Sequence, residues 1–130
     1  MPYKFLPHTS DLVVQATGSS FEKALEQVAE AMLTQMGAEH ATGKEKIELQ
    51  VKQENRDDLV VAALTAIIAE CESEHFTPKK AAVAKAEGGV KITLHGEKKQ
   101  PENIVKAATY HGLKVEQLKV GWRITVLLDI

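Results

Sequence analysis

Oxygen-bearing side chains gather near both ends of this sequence. His8-Thr9-Ser10-Asp11 precedes a short apolar run and places a group of hydrogen-bonding side chains at the entry to a strand. By itself the group reads as a turn held by Asx or Ser/Thr bonds. The alternative is a loop that projects Asp11 as a carboxylate for a metal or polar ligand, a weak signal taken alone. At the far end, Asp129-Ile130 closes a strand and sets the Asp129 carboxylate beside the Ile130 α-carboxylate. Two anions that close are unfavourable unless water solvates them or a cation bridges them. Hard cations such as calcium and magnesium take oxygen ligands of this kind. Asp11, Asp129 and the Ile130 carboxylate therefore make one hard-metal site if the fold joins the two ends. Otherwise Asp129 is a solvated terminal acid.

Lys106-Ala107-Ala108-Thr109-Tyr110-His111 is the other unusual stretch. Strand alternation puts Lys106, Ala108 and Tyr110 on one face and Ala107, Thr109 and His111 on the other. The strip reads either as an ordinary sheet edge or as a recognition surface whose small alanines let a partner approach. His40, His75 and His95 fit no metal-ligand spacing. The single cysteine, Cys71, excludes an internal disulfide and a cysteine-based zinc site. It reads as buried packing. Neither a phosphate-binding glycine loop nor Gly-x-Ser-x-Gly occurs, and no nucleophile–base pair is evident.

The elements that must position these groups are legible in part. Leu12–Ala16 reads as a strand turning at Thr17-Gly18. Ser19 stands three residues before Glu22, the capping-box spacing. Phe21, Ala24, Leu25, Val28, Ala29, Met32 and Met36 then recur at helical spacing up to a natural stop at Gly37. Ile47, Leu49 and Val51 alternate with polar residues, which predicts a half-buried strand. Asn55 can cap a second helix, with Asp57 and Asp58 near its positive end. Leu59–Ala69 is apolar on nearly all sides, as in a helix buried between layers. Strands follow at 82–86, 90–94, 105–111, 113–119 and 122–128, with hairpin signals at Glu87-Gly88-Gly89 and Val120-Gly121. Helices and strands without regular alternation predict an α+β class. The architecture expected is a single domain, 1–130, with two helices packed on a mixed or antiparallel β-sheet of about seven strands.

The 130 residues are 44% hydrophobic and 26% charged, with a formal net charge of −2. That balance fits a globular domain and argues against a strongly basic, duplex-coating protein. Aromatic residues at 5% supply few platforms for stacking bases. The N-terminus lacks the basic and apolar regions of a secretory signal, and the apolar run is too short to span a bilayer. A cytoplasmic protein with no membrane partner is expected.

Taken together, the end motifs resemble the archease family. The resemblance rests on Phe5-Leu6-Pro7-His8-Thr9-Ser10-Asp11, on Val105-Lys106-Ala107-Ala108-Thr109-Tyr110-His111, on Gly121-Trp122, and on Leu128-Asp129-Ile130. It implies a small α+β protein that activates the GTP-dependent RNA-splicing ligase of tRNA splicing and RNA repair. Such an activator promotes guanylylation and multiple turnover of the ligase without being an enzyme itself. The resemblance also implies a divalent cation, calcium first with magnesium or manganese as alternatives, held by Asp11 and Asp129 with oxygen from Ile130. His8, Lys106, Tyr110 and His111 are implied as contact residues. The expected partner is the ligase, without strong direct nucleic-acid binding. A metal-dependent phosphoesterase and a chaperone or adaptor without a metal role are the alternatives. Asn55 stands where many family members carry an aspartate.

Overall fold

A computed structural model describes residues 2–6 and 11–130. Strand β1 spans Tyr3–Leu6 and β2 Leu12–Gly18. Helix α1, Phe21–Met36, begins where the Ser20 side chain accepts the Lys23 backbone N–H. The cap is thus Ser20 rather than Ser19, because β2 runs on through Gly18 and pushes the turn one residue along. The helix ends at Gly37, whose φ of 106° suits glycine and whose N–H reaches the carbonyls of Leu33 and Thr34. Its buried face carries Phe21, Ala24, Leu25, Val28, Met32 and Met36, as the spacing predicts.

Strand β3 covers Glu45–Lys52, and α2 covers Arg56–Glu74. The Asn55 side chain caps α2 by accepting the Asp58 N–H. Helix α2 lies between two sheets, packing on β6 of one and on β3 and β5 of the other. This explains its breadth of apolar residues, though Thr65 and Ala69 still face solvent. Strands β4 (Thr77–Ala86), β5 (Gly89–Glu97), β6 (Ala107–Gln117) and β7 (Trp122–Asp129) complete the chain.

The seven strands divide into a four-stranded sheet, β1-β2-β7-β6, and a three-stranded sheet, β3-β5-β4. Every pairing is antiparallel. The count agrees with expectation through two compensating differences. Tyr3–Leu6 is a strand that its four residues signalled too weakly. Residues 105–111 and 113–119, expected as two strands, belong to one, β6. Gly112 (φ 69°) does not end that strand. It sits inside a bulge in which residues 110–113 stand opposite the single residue Val126.

Helix α1 also closes one sheet edge. Strand β4 is the last strand of its sheet, so alternate backbone N–H groups point outward unpaired. The Glu26 carboxylate accepts that of Val83 at 2.9 Å, and Glu30, one helical turn on, accepts that of Ala81. Burial holds the Glu30 carboxyl above its ordinary range despite this bond.

Cys71 is buried in the core. Burial, with a smaller contribution from Glu70, pushes its thiol up to about 12. The reactive thiolate is then negligible at pH 8. Labelling by iodoacetamide in native buffer is expected only at the rate of unfolding. Rapid labelling of folded protein would contradict the buried position.

Candidate functional site

The register of the four-stranded sheet settles whether the ends meet. Strand β2 pairs with β7 from Gly18↔Trp122 to Leu12↔Leu128. Continued by one residue, it sets Asp11 opposite Asp129. Residues directly opposed across antiparallel strands hold their Cβ atoms about 4.5–5.5 Å apart. On the other side of β7, Asp129 pairs with Ala107, and the Lys106 N–H donates to the Asp129 carbonyl at 2.7 Å. Three segments far apart in sequence therefore converge on one sheet end.

Alternation fixes the face. Val14, Ala16, Ile124, Val126 and Leu128 are fully or almost fully buried in the core. Asp11 and Asp129 are out of phase with them and belong to the opposite face. Ala107 and Thr109 share that face by pairing with Asp129 and Leu127. The Thr109 hydroxyl is buried without a hydrogen-bond partner. An orphaned oxygen costs about 1–3 kcal/mol, and this one lies two residues along β6 from the Ala107↔Asp129 pair, on the same face. Asp11 makes a polar interaction of its own. The donor set is all oxygen and fits a hard cation. Among the described residues, no three His, Cys, Asp or Glu side chains form a metal cluster. Any such shell would draw its remaining oxygens from groups such as the Thr109 hydroxyl, backbone carbonyls or water.

The second motif divides between roles. Lys106 is exposed and lies just before β6. Ala108 is 7% exposed and part of the core, so it does not belong to an open recognition strip. Tyr110 reaches from the bulge to the start of α2, where its hydroxyl donates to Asp58 Oδ1 at 2.8 Å. That bond, followed by smaller burial and charge effects, raises the phenol above its ordinary range and keeps it a donor. Asp58 therefore holds the bulge as well as favouring the helix N-terminus, a link that local sequence does not signal. His111 is exposed beside it. His8 lies outside the described residues. Thr109 joins this face from the same motif, and its signal in the sequence is a threonine hydroxyl facing away from an apolar layer.

A model of the archease protein family (MTH1598/TM1083) matches residues 3–130. Protein archease of Thermococcus kodakarensis is 31% identical over 134 residues, covering 95% of this chain and 94% of that protein. Protein archease of Pyrococcus abyssi shows the same identity and coverage. A Thermotoga maritima crystal structure, described as an archease and possible chaperone, matches with a TM-score of 0.72 at 25% identity. That match covers 98% of this chain and 96% of the other. The solution structure of Methanobacterium thermoautotrophicum protein 1598 shares the fold, with a TM-score of 0.78, 22% identity and 99% coverage of both chains. The chain belongs to the archease family. Among the described residues, no helix is long and apolar enough to cross a membrane.

Proposed function

We propose that this protein activates the GTP-dependent RNA-splicing ligase, promoting its guanylylation and repeated turnover, with a divalent cation held at Asp11 and Asp129. The observation that carries this reading is the convergence of Asp11, Asp129, Lys106 and Thr109 at one sheet end. Asp11 and Asp129 would supply charged oxygens, with Thr109 and the Ile130 carboxylate as further donors. Calcium fits first, and magnesium or manganese take the same oxygen donors. A bound cation would neutralise the facing carboxylates and present positive charge to phosphate. Lys106, bonded to the Asp129 carbonyl through its backbone N–H, would add a flexible ammonium at the same sheet end but from the alternate face, and Tyr110 and His111 an adjacent contact surface on the bulge. The cytoplasm is the compartment in which this role is placed.

Multiple-turnover ligation by the host ligase, with and without this protein, tests the reading. Wild type is expected to stimulate product formation, and Asp11→Ala and Asp129→Ala to remove the stimulation. The Thermotoga relative is described as a possible chaperone. A folding helper without a metal role would stimulate equally well after both replacements, which would overturn the site. An extension fused after Ile130 is expected to weaken stimulation by crowding the same tip. Full activity of such a fusion would remove the Ile130 carboxylate from the proposal.

A further inference from the structure

The outer face of the three-stranded sheet has no covering layer. Ala81, Val83, Val90, Ile92 and Leu94 point into the core. The residues between them point out, and the register arranges them in rows. Lys46, His95 and Lys80 form one row across β3, β5 and β4. Glu48, Thr93 and Ala82 form the next, followed by Gln50, Lys91 and Ala84, with Lys52 at the far end of β3. Glu48 pairs with Lys91 at 2.7 Å and stands 3.9 Å from Lys46. Glu97, farther along the same face, holds the Thr42 N–H and lies 3.8 Å from Lys99. Lys46, Lys52, Lys80 and Lys91 on this face meet two acids, Glu48 and Glu97, whereas Lys85 of β4 shares the core phase of Ala81 and Val83. The chain's acids are concentrated elsewhere, with five of them on α2. A net charge of −2 thus conceals a basic plane.

We propose that this plane binds the phosphate backbone of single-stranded RNA through Lys46, Lys80 and Lys91. The inference stands apart from the ligase reading and from the carboxylate site. Charge complementarity selects a polyanion. The character of the face selects nucleic acid over an acidic protein surface. Between its lysines it offers short or polar side chains (Ala82, Ala84, Thr93, Gln50, His95 and Glu48), without the Tyr, Trp or Arg anchors that protein interfaces favour. Three strands at about 4.8 Å spacing make a plane roughly 10 Å wide, suited to one strand rather than a duplex. With no Phe, Tyr or Trp in these rows to stack bases, the contact reads phosphates and ignores sequence.

Fluorescence anisotropy of a labelled 20-nucleotide RNA tests this. Binding is expected with a Kd on the order of 10⁻⁵–10⁻⁴ M in low salt. Three phosphate contacts give a log–log salt slope of about −2, so affinity falls roughly tenfold or more between about 50 and 200 mM salt. Lys46→Ala/Lys80→Ala/Lys91→Ala is expected to weaken binding at least tenfold while retaining its melting temperature. Lys114→Ala/Lys119→Ala, on the β6–β7 hairpin, should stay within twofold of wild type. Oligo-U and oligo-A should bind alike. Absence of salt-dependent binding, equal loss in the two variants, a strong base preference, or equally effective displacement by polyglutamate would each overturn the proposal. Ligation stimulated normally by the triple variant would leave the activator reading untouched.

Discussion

Asp129→Asn is expected to change the protein's stability in opposite senses with and without a divalent cation. In metal-free buffer the variant should melt no lower than wild type, and slightly higher. The β2–β7 register ends at Leu12↔Leu128, so Asp11 and Asp129 are the next residues of neighbouring strands, and like charges facing across strands are destabilising. With calcium the order reverses. A ligand that binds only the folded chain stabilises it by about 2.7 kcal/mol at a hundredfold excess over Kd, roughly 10 °C in Tm at this size. Wild type should show that rise, and Asp129→Asn and Asp11→Asn should lose nearly all of it. Thr109→Val, which removes the orphaned hydroxyl, should be tolerated without calcium, because no bond is lost. Its calcium response should shrink. Differential scanning fluorimetry across a calcium, magnesium and manganese series measures all four proteins. A flat wild-type response to every cation would refute the site, and an unchanged response in the aspartate variants would place the cation elsewhere.

Phe76→Ala is expected to cost the fold about 3–5 kcal/mol, the usual range for removing a buried aromatic side chain. That is a large part of the roughly 5–15 kcal/mol that holds a domain together. Phe76 is fully buried and follows directly on α2. Its N–H donates to the Cys71 carbonyl at 3.0 Å while His75 takes a left-handed φ of 49°. The helix end, the start of β4 and the core thus meet in one residue. Across the sheet, Gly96 leaves the space that the ring fills. A Cβ at Gly96 would lie 2.7 Å from the Phe76 ring and 2.3 Å from the Thr77 carbonyl oxygen. Gly96→Ala should therefore push β5 from β4 and destabilise the fold substantially. Combining it with Phe76→Ala should cost less than the two changes added, because one clash is relieved, yet the Thr77 clash should prevent full rescue. Urea unfolding of the four proteins gives the cycle. Strict additivity would show that ring and glycine do not interlock.

Much of the fold was legible because its signals are local. The three-and-four spacing from Phe21 to Met36 marks α1, Asn55 with two following acids marks the start of α2, and alternation at Ile47, Leu49 and Val51 marks β3. Each reflects a periodicity or cap that a few neighbouring residues define. The errors also have local causes. Gly112 resembles a strand end, yet a bulge opposite Val126 absorbs it and β6 continues. Ser19 has capping-box spacing, but strand pairing through Gly18 shifts the cap to Ser20.

The site divides along the same line. The oxygen-rich residues at both ends, and the motif containing Lys106, Thr109 and Tyr110, are written in the sequence. So is family membership, which the comparisons establish. Tertiary structure alone decides that Asp11 and Asp129 come to one end of neighbouring strands, that Ala108 is core, that Thr109 finds no partner among the described residues and that Tyr110 is tied to Asp58. It also gathers Lys46, Lys52, Lys80 and Lys91 onto one plane while the chain as a whole is acidic. The physical reason is register. Side-chain type and period are properties of neighbours along the chain, whereas the face and partner of a side chain depend on which strands pair and at what offset. A shift of one residue would exchange the two faces and scatter both sites.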